Sequence, residues 1–256
     1  MEGSRGRAGA TTPTALPGTV REDWLTLRMD EKARGHANRR RVVVASGLTA
    51  TGLLGTSLAA EPGSARFYRL TMAAASAYAL GGLISGPIPL DGLDHTPSSR
   101  RRSVLGAVLI GVATFVVFYL IALVARHIPI LNRAIGSILG YAHHGAMPLV
   151  VMSTLTTGAA EEVYFRGAVY GAVRDSGSYR PAGVSTVIYA LATVGTRNPA
   201  LVLASIVMGA LFGLQRRATE GVLAPTVTHL VWSSLMLRFL PPLFPPLSAD
   251  TSGQTV

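Results

Sequence analysis

The 256-residue chain has no cysteine, which excludes disulfide staples, thiolate metal ligands and a cysteine nucleophile. It is also short of charge: only 14% of its residues are Asp, Glu, Lys or Arg, against about 25% in a typical soluble domain. There is no glycine-rich phosphate loop and no H-E-x-x-H run, so a mononucleotide cradle and a zincin-type metal helix are excluded as well. No internal repeat is visible, which argues against a transporter built from inverted halves. Apolar residues are abundant: 49% of the chain is hydrophobic and the mean hydropathy is +0.39. That is the composition of a membrane protein.

The formal charge of +10 invites a nucleic-acid reading, but the basic residues stand at the ends of apolar runs rather than along one stripe. They read better as topology signals, and no nucleic-acid partner is expected. Residues 1–41 lack an apolar run, hold nine Lys and Arg, and end in Arg39, Arg40 and Arg41. This part is expected to be a disordered basic cytoplasmic tail, with a short surface helix between Arg21 and Arg41 as the alternative. The first apolar run begins too late for a cleaved signal peptide.

Uncharged stretches near the ~20 residues of a membrane-spanning helix follow at 42–60, 70–90 and 103–125. The stretch 147–173 is long enough to cross, and then come 181–195, 198–215 and 221–237. The expected fold is therefore all-α, a polytopic transmembrane bundle of about seven helices. Three helices fall in 42–126, an extracytoplasmic loop in 127–146, a catalytic helical core in 147–240 and a Pro-rich tail in 241–256. The two short runs suggest tightly packed, buried helices, and Gly209 and Gly213 are spaced for close helix approach. Counting Lys and Arg in the loops puts the N-terminus inside a bacterial-type cell membrane. Seven crossings then leave the C-terminal end outside.

Against this apolar background Glu161, Glu162 and Arg166 stand out, because a charge at the bilayer centre costs roughly 2.5–3.5 kcal/mol on insertion scales. Helical spacing lets Glu162 and Arg166 pair four residues apart, while Glu161 points about 100° away. The unpaired carboxylate is the one suited to accept a proton from water. A structural charge cluster or an ion path remains the alternative use of the three.

His229 and Ser233 lie one turn apart on the last apolar run. At ~1.5 Å per residue, Glu161 sits about 18 Å from Val173 and His229 about 13 Å from Glu220, in one central layer. Tyr189 and Thr193 reach a similar depth, Thr193 having as its ordinary role a bond back to a helix carbonyl. Whether Glu161, Thr193 and His229 surround one water-filled cavity open to the cytoplasmic side is the observation that bears most on catalysis. His95, His127, His143 and His144 are read as surface or interfacial residues.

Three motifs in order, E-E-V-Y-F-R-G at 161–167, Y-A-L-A-T at 189–193 and G-V-L-A-P-T-V-T-H-L-V-W-S at 221–233, resemble the CPBP family of intramembrane proteases. That group takes in type II CAAX prenyl endopeptidases and the bacteriocin-processing and immunity proteins of the Abi type. The resemblance covers roughly residues 148–240. It implies Glu161 as the water-activating base, Glu162 as an acidic partner tied to Arg166, and His229 as oxyanion stabiliser or metal ligand. The chain departs from the family pattern twice: Thr193 stands where the second motif has histidine, and Ser233 where the last has Asn or Asp.

Threonine is neither a base nor a nitrogen ligand, so a zinc site would have at most Glu161, Glu162 and His229. A metal-free mechanism is therefore expected, with zinc as the alternative cofactor; Thr193 is left to orient a water and Ser233 to donate to the oxyanion. The expected function is endopeptidase hydrolysis of a membrane-associated protein or peptide in the lipid bilayer. The competing readings are a non-catalytic scaffold or immunity-type membrane protein, and a proton-coupled transporter.

Overall fold

The computed structural model of the protein describes residues 18–90, 96–178 and 180–245, and every regular element among them is helical. Helices α1 (Gly18–Ser57), α2 (Ala65–Ser85) and α3 (Pro97–Ala125) precede α4 (Pro129–His144). Helix α5 (Met147–Glu161) runs through a π-helical stretch, Glu162–Val169, into α6 (Tyr170–Asp175). Helices α7 (Pro181–Val194), α8 (Pro199–Thr219) and α9 (Leu223–Phe239) follow, and a 3-10 turn covers Pro241–Leu243.

Helix starts follow local chemistry. The Ser64 and Thr96 hydroxyls accept from the backbone N–H groups of Phe67 and Ser99, and the Asn198 side chain accepts from Ala200 and Leu201. Proline occupies the first turn of α3, α4, α5, α7 and α8, where its missing N–H costs nothing. Glu220, at φ 55°, turns the chain sharply from α8 into α9.

Four expectations need correction. Residues 18–41 are helical, because α1, once packed against α2, extends back through Arg, Leu, Met, Glu, Lys and Ala, all good helix formers; residues 1–17 lie outside the described residues. The expected 127–146 loop contains α4, whose Ala134, Leu139 and Ala142 are buried along one stripe. The described residues thus hold eight long helices where about seven were expected. The C-terminal segment begins as packed structure: Leu240 and Phe244 bury against Ala122 and Leu139. Finally, α7 is not a buried helix, since Val187 and Leu191 are 58% and 65% exposed.

Two described helices, α3 and α8, are long and apolar enough to cross a membrane. Large apolar side chains also cover the outside of the bundle, including Leu48, Ile84 and Leu109 at 70% exposure or more. The interior of the first half is aromatic and small: the rings of Tyr78, Tyr164 and Phe165 lie 4.9–5.3 Å apart, closed in by Ala50, Ala75 and Ala168. The Tyr164 hydroxyl donates to the Val43 carbonyl and fastens the π stretch to α1.

Glycines let α7 and α8 meet. A Cβ at Gly209 would stand 2.9 Å from the Thr186 methyl, and one at Gly213 3.2 Å from the Ala182 Cβ. Gly209→Leu is expected to force the pair apart and destabilise the protein by about 1–3 kcal/mol. A lowered midpoint in detergent thermal unfolding is the measurement.

The helix ends sort into two faces. On one, Arg39 pairs with Asp175 at 2.9 Å, and the Val222 and Leu223 N–H groups donate to the Pro89 and Leu90 carbonyls at 3.0 Å. On the other, the Tyr141 hydroxyl donates to the Leu58 and Ala60 carbonyls at 2.6 and 3.1 Å, and the Asn198 amide donates to the Ala134 carbonyl at 2.7 Å. His143 joins that second face by donating to the Phe244 carbonyl at 3.1 Å.

Candidate active site

The two adjacent glutamates are separated by the helix that carries them. Glu161 ends α5 and turns toward an internal cavity, where its Oε2 accepts from the Tyr189 hydroxyl at 2.9 Å. Glu162 opens the π stretch and turns inward. Its Oε1 accepts from Arg166 Nη1 at 3.2 Å and from His229 Nδ1 at 2.9 Å, and neither Glu162 nor Arg166 has accessible surface. Depth alone had grouped His229 with Glu161, whereas the bond it makes is to Glu162.

The Arg166 guanidinium lies 4.7 Å from the Tyr189 ring centroid and 5.0 Å from that of Phe212, a cation between two π faces. Its Nη2 donates to the Gly209 carbonyl at 3.4 Å. His229 stacks on Phe212 with centroids 4.9 Å apart and planes at 26°. A histidine whose Nδ1–H is given to a carboxylate has its ring direction and tautomer set. Its Nε2 then lies toward Gly158, where an added Cβ would come within 3.3 Å.

The wider π turn leaves carbonyls that the regular ladder does not use, and side chains of the next two helices take them. Ser185 Oγ donates to the Phe165 carbonyl at 2.7 Å, and Arg216 Nε donates to the Arg166 carbonyl at 3.0 Å. Arg216 is 2% exposed and lies over the Tyr170 ring at 4.7 Å. Only its neighbour Arg217 faces outward. The two adjacent arginines carried no signal to tell them apart.

The cavity has a volume of about 250 Å³, and Glu161, Tyr189, Thr193, His229 and Ser233 all line it. The Thr193 hydroxyl donates to the Tyr189 carbonyl at 2.9 Å, its ordinary helical bond. Three other lining groups are buried polar atoms without a partner: Thr71 Oγ1, Thr157 Oγ1 and Trp232 Nε1. Such atoms are unfavourable unless a ligand or water meets them. Ser153, Thr154 and Thr157, from a hydroxyl-rich run ahead of the glutamates, are the sequence signal for this lining. The remaining histidines stand apart: His127 accepts from Arg126, and His144 bonds the Gly140 carbonyl. His95 lies outside the described residues.

Glu162 Oε1 is held by Arg166 and His229, and Thr193 offers no nitrogen, so the uncommitted donors are His229 Nε2, Glu162 Oε2 and one oxygen of Glu161. Among the described residues no three His, Asp or Glu side chains converge on a point that would hold a metal ion. Gly158→Ala places a methyl against the free edge of His229 and is expected to lower any activity of the site about tenfold, the scale of a sub-ångström misplacement. Turnover of the alanine variant against the wild type is the check.

Fold and site together define a helical protein with a carboxylate and histidine centre around an internal cavity. Residues 143–235, from the end of α4 into α9, match the family model of Rce1-like type II CAAX prenyl endopeptidases. Over this segment, 93 of the 256 residues, the chain is similar to that endopeptidase family, in the part of the chain that carries the three motifs. No curated protein and no solved structure gave a match.

Proposed function

We propose that the protein is a multi-pass membrane endopeptidase that hydrolyses a peptide bond of a membrane-associated substrate by a metal-free, glutamate-activated water. The observation that supports this most is the division of labour between the two glutamates. Glu161 faces the cavity with one oxygen held by Tyr189, while Glu162 and Arg166 are spent on orienting His229. In the reaction, Glu161 takes a proton from water as the water oxygen attacks the scissile carbonyl carbon. The Trp232 indole N–H is the donor to the developing oxyanion, joined by His229 Nε2–H when the imidazole carries a proton on both nitrogens. The C–N bond then breaks, and the proton on Glu161 passes to the leaving amine.

In this reading α1, α2, α3, α5 with α6, α7, α8 and α9 cross the bilayer, and α4 lies along one surface. The arginine-bearing face is cytoplasmic, with the N-terminal part of α1 on that side. A test is reconstitution in liposomes with a library of lipid-anchored peptides, with products read by mass spectrometry. Discrete cleavage that persists in a metal chelator is expected; loss of cleavage with the chelator contradicts the metal-free step.

A second reading, a non-catalytic relative, draws on Thr193, whose hydroxyl is tied to a backbone carbonyl at the position where the family has histidine. Wild-type turnover in the same liposomes contradicts it. Turnover gained only by Thr193→His supports it.

A further inference from the structure

Counting α5, the π stretch and α6 as one rod, every helix that lines the cavity does so with its half away from the arginine-bearing face or with its middle, and none with the end at that face. Helix α1 and the turn after it contribute Leu54 and Leu58, α2 contributes Phe67 and Thr71 from its first turns, and the π stretch and α6 that continue α5 contribute nothing. Helix α8 contributes only residues between Leu201 and Met208, and α9 begins its share at His229. Toward the other end the interior is filled: Phe165, Arg166, Phe212, Arg216 and Thr228 are all at 2% exposure or less. Gln215 Nε2 donates to the Thr228 hydroxyl at 2.8 Å, which donates to the Ala107 carbonyl at 2.9 Å, closing the layer between α8, α9 and α3.

The filled end is the one that carries the basic residues. Fourteen of the 23 Lys and Arg lie in residues 18–41 or at Arg100, Arg101, Arg102, Arg174, Arg180, Arg216 and Arg217. The bonds Arg39 to Asp175 and Val222 to Pro89 place these segments on one face. The cavity instead runs toward Leu58, Thr196 and Leu201, beside the turns that α4 clasps through Tyr141 and Asn198.

From this juxtaposition we infer that the site is reached from the extracytoplasmic side, so that its substrate is a peptide segment displayed on that surface and not a cytosolic chain terminus. The inference rests on the peptidase reading for its substrate, and on positive-inside topology for its direction. The lining suits such a peptide: Leu58, Phe67 and Leu201 offer apolar walls, and the unpartnered Thr71, Thr157 and Trp232 offer bonds to an extended backbone.

The chain has no cysteine, so single cysteines report accessibility without background. Glu61→Cys and Arg101→Cys mark the two faces, since both residues are exposed, and Thr196→Cys marks the cavity. In intact cells treated with a membrane-impermeant maleimide, labelling of Glu61→Cys and Thr196→Cys is expected, with Arg101→Cys labelled only after lysis. Labelling of Arg101→Cys in intact cells with Glu61→Cys protected overturns the inference. So does a Thr196→Cys that reacts only after denaturation while Glu61→Cys reacts in intact cells; Leu58→Cys repeats this arm on a second wall should Thr196→Cys not fold. None of these readouts needs turnover, so a failed peptidase reading shows separately, as absent cleavage in liposomes.

Discussion

Glu161→Gln is expected to lower peptide cleavage by roughly 10²–10⁴-fold, the range associated with loss of a general base. The substitution keeps the size of the side chain and an oxygen that can accept from the Tyr189 hydroxyl, so the wall of the cavity stays in place. What it removes is the proton acceptor. The loss therefore belongs in the rate of the chemical step, with substrate affinity and thermal unfolding close to wild type. Tyr189→Phe supplies the comparison: it removes the donor at 2.9 Å and leaves the carboxylate, so a smaller loss is expected than for the glutamine variant. Equal losses would place the function in the hydrogen bond and not in the base.

The largest effect on stability is expected from Arg166→Met. Glu162 and Arg166 are fully buried, and the pair shares its carboxylate oxygen with His229. Removing the guanidinium leaves a buried carboxylate whose remaining partner is a histidine, and breaking a buried ion pair from one side costs about 3–5 kcal/mol. The bond to the Gly209 carbonyl and the contacts with Tyr189 and Phe212 disappear with it. Adding Glu162→Gln to the same chain is expected to recover part of the loss, because the uncompensated charge goes too. Arg217→Met, on the exposed neighbour of Arg216, is expected to stay within about 0.5 kcal/mol of wild type. Unfolding midpoints of the four proteins in one detergent measure the set.

Much of this architecture was legible in the sequence because apolar runs and prolines mark helices whatever surrounds them. The stretches ending in Gly195 and beginning at Asn198 became α7 and α8 nearly as bounded, helped by Pro181 and Pro199 at their first turns. Helix α4 was missed because Asn132, Arg133, Gly136 and Gly140 break its hydropathy, although Leu131, Ala134, Ile135, Ile138, Leu139 and Ala142 recur at helical spacing. At the site, the i,i+4 rule found the Glu162 and Arg166 pair and the divergence of Glu161. It had no means of finding that His229 meets Glu162, since that contact depends on how α9 packs against α5 across 67 residues of chain. The π stretch was equally hidden, because the bonds that support it come from Ser185 and Arg216 on other helices. Depth counting put Glu161, Thr193 and His229 at one level, and all three line the cavity, but depth carries no information about which end is filled. Phe212, Arg216 and Thr228 decide that by packing.

The most direct test of the proposed chemistry is the origin of the oxygen in the new carboxylate. With reconstituted protein and a lipid-anchored peptide in ¹⁸O-enriched water, wild-type chain is predicted to release a product carrying one ¹⁸O at its new C-terminus, and Glu161→Gln to release almost none. An unchanged yield of labelled product from Glu161→Gln would contradict the account.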